Sequence, residues 1–413
     1  MDFNDTPEEA AFRAKVRAWL EANADRRIEG EASASILSME GADQEMIARA
    51  KAWQAKKAAE GYAAISWPKE YGGMGGTTMQ NVIYAQEEAQ FDVSSNLFIL
   101  GLGLAMPTLM VMGTPAQKER FIRPALYGEE IWCQLFSEPG AGSDLAGVRT
   151  RAEKQGDEWV VNGQKIWTTL GHIADWGILV ARTDPSKPKH KGLSFFLLDM
   201  KTPGVTVKQI KQISGASSFN EVFFENVRIP DDMRVGNEGD GWRAALTVLM
   251  NERVVVGNLS AGNGVSDFLA LARTTQLGEG PAIRSAAVRE KIADWYVQSE
   301  GLKYIHYRTL TAISKGVTPG AENAIAKAVG AVYGQDLPHF AMELMDLGGI
   351  VRDPGISPQD AGFQEGWITS PALRIGGGTD EILRNIIAEQ VLGLPGDIRT
   401  DKDAAFNALP GGR

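Results

Sequence analysis

The chain has 413 residues, of which 44% are hydrophobic and 23% charged, with a formal net charge of −10 and an isoelectric point near 5.2. This composition is ordinary for a globular protein, and the length allows two or three domains with well-buried cores. The acidic balance argues against sequence-independent binding to nucleic acid or to an anionic membrane, because both need a basic surface. A nucleotide cofactor held at a local basic site stays possible.

Cysteine and histidine are scarce. Cys133 is the single cysteine and the four histidines are scattered, so no internal disulfide is possible and no metal-ligand spacing appears. No apolar run reaches the roughly 18 residues of a membrane-spanning helix. The first residues lack the basic and apolar regions of a signal peptide. We therefore expect no metal site, no membrane span and a cytoplasmic location.

Residues 1–127 are predicted to form an N-terminal α-helical domain. Thr6-Pro7-Glu8-Glu9 is a capping box with proline at the first helical position, and apolar residues follow it at helical spacing. Thr114 followed by Pro115 repeats this signature. Another helix is expected between residues 43 and 61.

The periodicity changes in residues 128–235, which are predicted to form a middle β domain. Short runs rich in β-branched and aromatic residues alternate with turn dipeptides such as Asn162-Gly163 and Pro203-Gly204. Their spacing favours a β-sandwich or barrel of about 100 residues. The lysine-rich segment 184–191 is interpreted as a solvated hairpin tip.

Helical periodicity returns in residues 236–395, which predict a C-terminal helical-bundle domain. Long helices are expected near residues 242–273, 281–316 and 319–347, and a last helix near 380–392. The tail, residues 396–413, is polar and rich in small residues, so we expect it to be mobile.

Two glycine-containing segments have the composition of ligand loops. Residues 376–379 join three glycines to Thr379 just before the last predicted helix. Glycines let backbone N–H groups approach phosphate oxygens, although such turns also simply cap and connect helices. Residues 137–144 form a polar turn after an apolar stretch, either structural or ligand-binding. Neither a P-loop nor a well-placed G-x-G-x-x-G occurs.

A tryptophan and two threonines at residues 167–169 allow two interpretations. The indole could lie beside a flat polar ring that the hydroxyls bond, or it could be part of the β-domain core, as most tryptophans are. The residues alone leave both open.

In order and wording, these segments resemble the acyl-CoA dehydrogenase family of flavoenzymes. Residues 137–144 are similar to the family's TEPGAGSD flavin-binding segment, with Ser137 replacing the threonine, and residues 167–169 to its W-I-T segment. Similarities at residues 67–73, 231–242 and 386–393 extend the resemblance over nearly the whole chain. It implies an α+β multi-domain fold with an N-terminal all-α domain, a middle β-sandwich or barrel and a C-terminal four-helix bundle.

The resemblance also implies ligands. The implied cofactor is FAD, held by Phe136, Ser137, Gly142, Ser143, Trp167, Thr168, Thr169, Arg273, Gly377, Gly378, Thr379 and Glu381. The implied substrate is an acyl-CoA, bound by Ser143, Arg253 and Gly377. The implied reaction is dehydrogenation to the trans-2-enoyl-CoA, as in β-oxidation, with an electron-transfer flavoprotein receiving the electrons.

The resemblance implies a catalytic base, but the family's commonest position for it holds no carboxylate in this chain. Gly377 stands where many family members carry a glutamate in a Y-E-G-T motif. Other members place the base on a C-terminal-domain helix just before an arginine, which Glu252-Arg253 matches. The resemblance therefore makes Glu252 the candidate base, and an exposed helical carboxylate is the alternative.

Two departures from the family pattern keep other assignments open. Residues 273–278 and 345–351 only partly match segments that reach a neighbouring subunit's FAD in the family. The alternative assignment is therefore a noncatalytic or FAD-site-completing subunit of a heteromer with a paralogue, which includes heteromers acting on bulky or steroid-derived acyl-CoA. An acyl-CoA oxidase is the enzymatic alternative. A homo- or hetero-oligomer is expected in each case.

Overall fold

The computed structural model describes residues 5–27, 44–93, 96–259, 264–314, 320–398 and 401–410. Residues 96, 252–259, 310, 313, 314 and 323 are described by their backbone only. The chain divides into two compact units, one of residues 1–25, 35–252 and 397–413, the other of residues 26–34 and 253–396.

The first unit begins with helices, two of which start where the sequence predicted an N-terminal cap. These are α1 (Pro7–Asn23), α2 (Gln44–Ala59), α3 (Thr78–Glu88), α4 (Met106–Met112) and α5 (Pro115–Leu126). The predicted capping boxes at Thr6 and Thr114 are present, each hydroxyl accepting from the backbone N–H three residues on. Glu87 of α3 is buried and accepts from Arg13 and Arg17 of α1, which joins the two helices.

An eight-stranded sheet follows in the order β6-β7-β3-β2-β4-β5-β8, with β1 beside β4. Its strands are β1 (Trp132–Leu135), β2 (Arg151–Gln155), β3 (Glu158–Thr169), β4 (Trp176–Arg182), β5 (Leu193–Asp199), β6 (Val205–Ile210), β7 (Phe219–Pro230) and β8 (Arg234–Val235). Pairing is antiparallel except for β1 and β2 with β4. The long β3–β7 ladder carries the candidate site at one end.

Both faces of β4 and β5 are buried, which explains their uninterrupted apolar runs. Ile178 and Val180 pack with residues from α5 and from α6 (Gly241–Leu259). Leu179 and Ala181 pack with Ala50 of α2 and with β3 and β7. The predicted N-terminal helical and middle β regions are therefore built around shared apolar cores.

The second unit is helical. It contains α7 (Gly264–Thr274), α8 (Ala286–Ser314), α9 (Asn323–Leu344), α10 (Gly362–Ile375) and α11 (Asp380–Ile386), with a two-stranded turn of β9 (Gln276–Leu277) and β10 (Gly280–Pro281). Phe268, Trp295 and Phe340 form its aromatic centre. The succession of helical, β and helical regions confirms the predicted fold class.

Two features differ from expectation. Helix α10 was not predicted, because Gly366 and Pro371 interrupt its helical signal. The tail was expected to be mobile, but residues 401–410 pack against segment 184–191, so that segment is not a freely solvated tip either. Phe406 provides the apolar contact in this packing and is 5% exposed.

The start of α6 leaves no room for a side chain. A Cβ on Gly241 would lie 2.6 Å from backbone atoms of Leu193 and Ser194 in β5. We predict that Gly241→Ala lowers the free energy of unfolding by about 1–3 kcal/mol, measured by urea denaturation, because the backbone of β5 must shift. Gly301→Ala in α8 is the control, since no atom lies within 4 Å of its Cβ position. A Gly241→Ala protein as stable as the wild type would contradict this packing.

Candidate functional site

Residues 137–144 form a turn that leaves the end of β1. Glu138 and Ala141 exchange two backbone hydrogen bonds of 2.9 and 3.0 Å, so Pro139 and Gly140 form an exposed tip. Phe136 is buried against Phe195, whereas Gly142 and Ser143 are exposed. Of the predicted site residues in this turn, Gly142 and Ser143 are therefore accessible to a ligand. Phe136 instead packs in the core beneath the turn.

A buried ion pair anchors this turn. Lys165 of β3 is fully buried, and its Nζ donates to Glu138 Oε1 and to the Phe136 carbonyl, both at 2.8 Å. Glu138 also accepts from the backbone N–H groups of Arg149 and Thr150, at 2.6 and 2.9 Å. These contacts join the turn, β3 and the segment before β2 at one carboxylate.

The protonation behaviour of the pair follows from this burial. Burial lowers the pKa of Lys165 to about 8, although the neighbouring Glu138 opposes the shift. Burial alone would raise the pKa of Glu138, but the charge of Lys165 and the hydrogen bonds that Glu138 accepts outweigh it and lower that pKa. The carboxylate is thus held ionised beneath the turn.

Trp167 stands in an unusual backbone conformation at the end of β3. The β3–β7 register shifts between Lys165 and Thr168, and Trp167 has a φ of 61°, in the left-handed region. Trp167 is 56% exposed and its ring meets Phe219 edge-on, so Trp167 is not a core residue. One residue earlier, the Ile166 N–H donates to the Ser137 carbonyl at 2.9 Å. The two sequence motifs therefore meet at Ser137 and Ile166.

Thr168 turns away from this exposed face and is buried, while Thr169 is half-buried. Among the described residues, no partner meets the buried Thr168 Oγ1, the Asn220 Oδ1 or either ring nitrogen of His172. Burial lowers the pKa of His172. The nearby Asn220 side chain partly opposes this decrease in the pKa of His172. The two side chains do not, however, form a hydrogen bond. No sequence pattern marks this polar group, because a single histidine in a β domain belongs to no motif.

The second glycine-containing segment belongs to the other unit. Gly377 and Gly378 have φ values of 68° and 97°, and the Thr379 hydroxyl caps α11 by accepting from the Ile382 N–H at 3.3 Å. The buried Lys327 of α9 donates to the Gly378 carbonyl. These contacts support the turn from the helix beneath it.

Arg374 holds the start of α11. Its Nε donates to Asp380 at 2.7 Å, and its Nη1 donates to Gln335 at 2.7 Å. Among the other predicted site residues of this unit, Arg273 is exposed in the last turn of α7 and Glu381 is exposed in the first turn of α11. The side chains of Glu252 and Arg253 lie outside the described residues, and only their backbone positions within α6 are described.

Neither a metal centre nor a membrane span is found in the part of the chain that the structure describes. No group of three or more histidine, cysteine, aspartate or glutamate side chains there could hold a metal ion. No described helix combines the length and the apolar character needed to cross a bilayer. Cys133 is buried, which raises the pKa of its thiol.

Three family models match the chain in succession. They are acyl-CoA dehydrogenase, N-terminal domain, at residues 6–129; acyl-CoA dehydrogenase, middle domain, at 133–227; and acyl-CoA dehydrogenase, C-terminal domain, at 239–392. The chain belongs to the acyl-CoA dehydrogenase family. This membership confirms the family inferred from the sequence motifs.

Similar proteins include acyl-CoA dehydrogenase IpdE1 of Mycobacterium tuberculosis, which is 38% identical over 392 residues, covering 93% of this chain and 97% of the relative. Among solved structures, the Tcur3481-Tcur3483 steroid ACAD matches with a TM-score of 0.80 and 27% identity, covering 96% of this chain and 100% of that one. The ChsE4-ChsE5 complex of Mycobacterium tuberculosis matches with a TM-score of 0.78 and 28% identity, with coverages of 96% and 100%.

The buried ion pair of Lys165 and Glu138 should contribute measurably to the stability of this family member. Lys165→Met should lower the free energy of unfolding by about 3–5 kcal/mol, because it leaves the Glu138 carboxylate buried without its counter-ion. Adding Glu138→Gln to that variant should restore much of the loss, since no buried charge then stays unpaired. Urea denaturation of both single variants and the double variant measures this coupling.

Lys211→Met is the matched control for the loss of a lysine. Lys211 is exposed just after β6, and its removal should change the unfolding free energy by less than about 0.5 kcal/mol. If the losses of the two single variants simply add in the double variant, Lys165 and Glu138 are not coupled in the way the geometry indicates.

Proposed function

We propose that this chain is an FAD-dependent acyl-CoA dehydrogenase that converts an acyl-CoA thioester to its trans-2-enoyl-CoA. The observation that carries the proposal is the junction between the two β-domain motifs. The Ile166–Ser137 backbone bond sets the turn beside Trp167, whose exposed ring is held in a left-handed backbone conformation. Backbone strain of this kind is common at ligand sites, where the surrounding structure maintains it.

The residues of this junction fit a flavin. A Cβ on Gly140 or Gly142 would have no atom within 4 Å, so the outer side of the turn is open for a ligand to approach the backbone. Trp167 offers a flat apolar surface, and Ser137, Ser143 and Thr169 offer hydroxyls. We assign FAD binding to these residues together with Phe136, Gly142 and Thr168, and to Arg273, Gly377, Gly378, Thr379 and Glu381. A bound flavin supplies the two-electron acceptor for oxidation of the Cα–Cβ bond.

Glu252 is the proposed general base. Removing the α-proton of a thioester requires a carboxylate within hydrogen-bond reach, and Gly377 has no side chain to provide one. Gly377 offers its backbone N–H instead, which would polarise the thioester oxygen and stabilise the developing enolate. Arg253 and Ser143 would contact the CoA part of the substrate. Glu252 would thus accept the proton from Cα while the hydride leaves Cβ.

One of the solved structures similar to this chain supports a bulky acyl group. One is named a steroid ACAD and carries two component names, and a second is a two-component complex. We therefore propose a steroid-derived or similarly bulky acyl-CoA as substrate and an electron-transfer flavoprotein as electron acceptor. An acyl-CoA oxidase, in which oxygen reoxidises the flavin, is the alternative that direct oxygen consumption would reveal.

A specific observation also favours assembly with another chain. Leu347 and Ile350 are 74% and 76% exposed in the segment whose family counterpart reaches a neighbouring subunit's cofactor. Exposed apolar side chains at such a place are typical of a covered interface. The second candidate function is therefore an FAD-site-completing subunit of a heteromer with a paralogous chain. The same surface would serve a homo-oligomer.

We predict that the purified protein contains noncovalent FAD and oxidises acyl-CoA substrates. Denaturation should release a flavin that chromatographs as FAD. Turnover with an artificial electron acceptor should be higher for polycyclic acyl-CoAs than for straight short chains. Mass spectrometry of the enoyl-CoA product checks the reaction. Absence of FAD after reconstitution would reject the single-chain proposal, and FAD uptake only on co-expression with a paralogue would favour the heteromer.

The base assignment has its own test. Glu252→Gln keeps the size of the side chain and removes the carboxylate, so turnover should fall by roughly 10²–10⁴-fold while FAD content stays nearly unchanged. Glu238→Gln is the matched control, because Glu238 is an exposed carboxylate just before α6. Turnover close to wild type in Glu252→Gln would remove Glu252 from the mechanism.

A further inference from the structure

Residues 401–410 lie along segment 183–192, which connects β4 to β5. The Phe406 N–H donates to the Lys187 carbonyl at 2.9 Å, and the Asn407 N–H donates to the Pro185 carbonyl at 3.0 Å. Ala405 forms an antiparallel bridge with Pro188. The backbone of the segment is thus paired and not merely adjacent.

Phe406 covers a buried arginine. The guanidinium of Arg182 lies 3.7 Å from the centre of the Phe406 ring, a cation–π contact in which both partners are buried. Arg182 has no carboxylate partner at salt-bridge distance among the described residues. It donates instead to the carbonyls of Ala146, Val148 and Lys189, at 2.5, 3.1 and 2.7 Å. Its contacts therefore fix the backbone that follows the candidate cofactor turn.

A second link joins the same two segments through Lys189. Its Nζ lies 3.0 Å from Asp144 Oδ2, in the candidate turn, and 2.8 Å from Asp401 Oδ2. Burial alone would lower the pKa of Lys189, but the two carboxylates outweigh it and raise that pKa. Lys189 thus stays charged between the turn and residues 401–410.

We propose that residues 401–410 act as a clasp that holds residues 137–148 in their ligand-binding conformation. Phe406 acts through Arg182 on Ala146 and Val148, and Asp401 acts through Lys189 on Asp144. Both are positioning residues, because neither belongs to the predicted ligand contacts. The part of the inference that concerns FAD rests on the function proposed above, whereas the conformational part stands without it.

Five variants in two groups test the clasp. Asp401→Asn removes the charge facing Lys189, Asp401→Glu restores it, and Asp403→Asn makes the same charge change at an exposed residue with no contact to Lys189. Phe406→Ala removes the ring above Arg182, and Asn407→Ala shortens an exposed neighbour. The readouts are amide hydrogen exchange of residues 140–149 without added FAD, and the rate of FAD release on dilution.

We expect Phe406→Ala to accelerate exchange in residues 140–149 and to speed FAD release by about tenfold, in the range of ordinary coupling between sites. Asp401→Asn should give about a two- to fivefold effect, because its ion pair is partly exposed. Added salt should shrink the difference between Asp401→Asn and the wild type. Asp401→Glu, Asp403→Asn and Asn407→Ala should match the wild type.

The failures of the two proposals are distinguishable. If the wild type binds no FAD, but residues 140–149 exchange faster in Asp401→Asn than in Asp403→Asn, the clasp is supported and the FAD proposal is rejected. If the wild type binds FAD, but amide exchange and FAD release are equal in Asp401→Asn and Asp403→Asn, the clasp is rejected and the FAD proposal is supported. Asp401 is a partly exposed side chain, so this comparison does not depend on whether Phe406→Ala folds.

Discussion

The buried ion pair of Lys165 and Glu138 is the interaction on which the candidate site depends, because it decides where three segments meet. Its carboxylate accepts from Lys165 and from the backbone of Arg149 and Thr150, while Lys165 also bonds the Phe136 carbonyl. Desolvating two charges is costly, and four hydrogen bonds offset that cost only in this geometry. These contacts consequently fix the position of the turn that bears Ser143 relative to the strand that leads to Trp167.

The parts of the fold that the sequence predicted are those encoded locally. Thr6 and Thr114 cap helices through residues three positions away, and the change from helical to strand periodicity needs no distant contact. The family was equally readable, because its motifs are short and contiguous. Trp167 matches the family's W-I-T segment in the sequence, and in the structure it is exposed.

What could not be predicted depends on contacts between residues distant in the chain. Phe406 lies in a polar tail, and its burial depends on Arg182 and the neighbouring segment, more than 200 residues earlier in the chain. The left-handed φ of Trp167 arises from a register shift between β3 and β7, which tryptophan does not signal. Helix α10 forms despite Pro371, since packing outweighs intrinsic propensity.

The conformation of Gly377 bears on where a catalytic carboxylate can stand. Its φ of 68° lies in the left-handed region, which residues other than glycine adopt only at a conformational cost of roughly 1–2 kcal/mol. Gly378 is also left-handed, and Lys327 secures its carbonyl from the helix below. A glutamate at position 377 would have to strain or remodel this turn. The proposed base at Glu252 would avoid that conflict, because it requires no side chain at position 377.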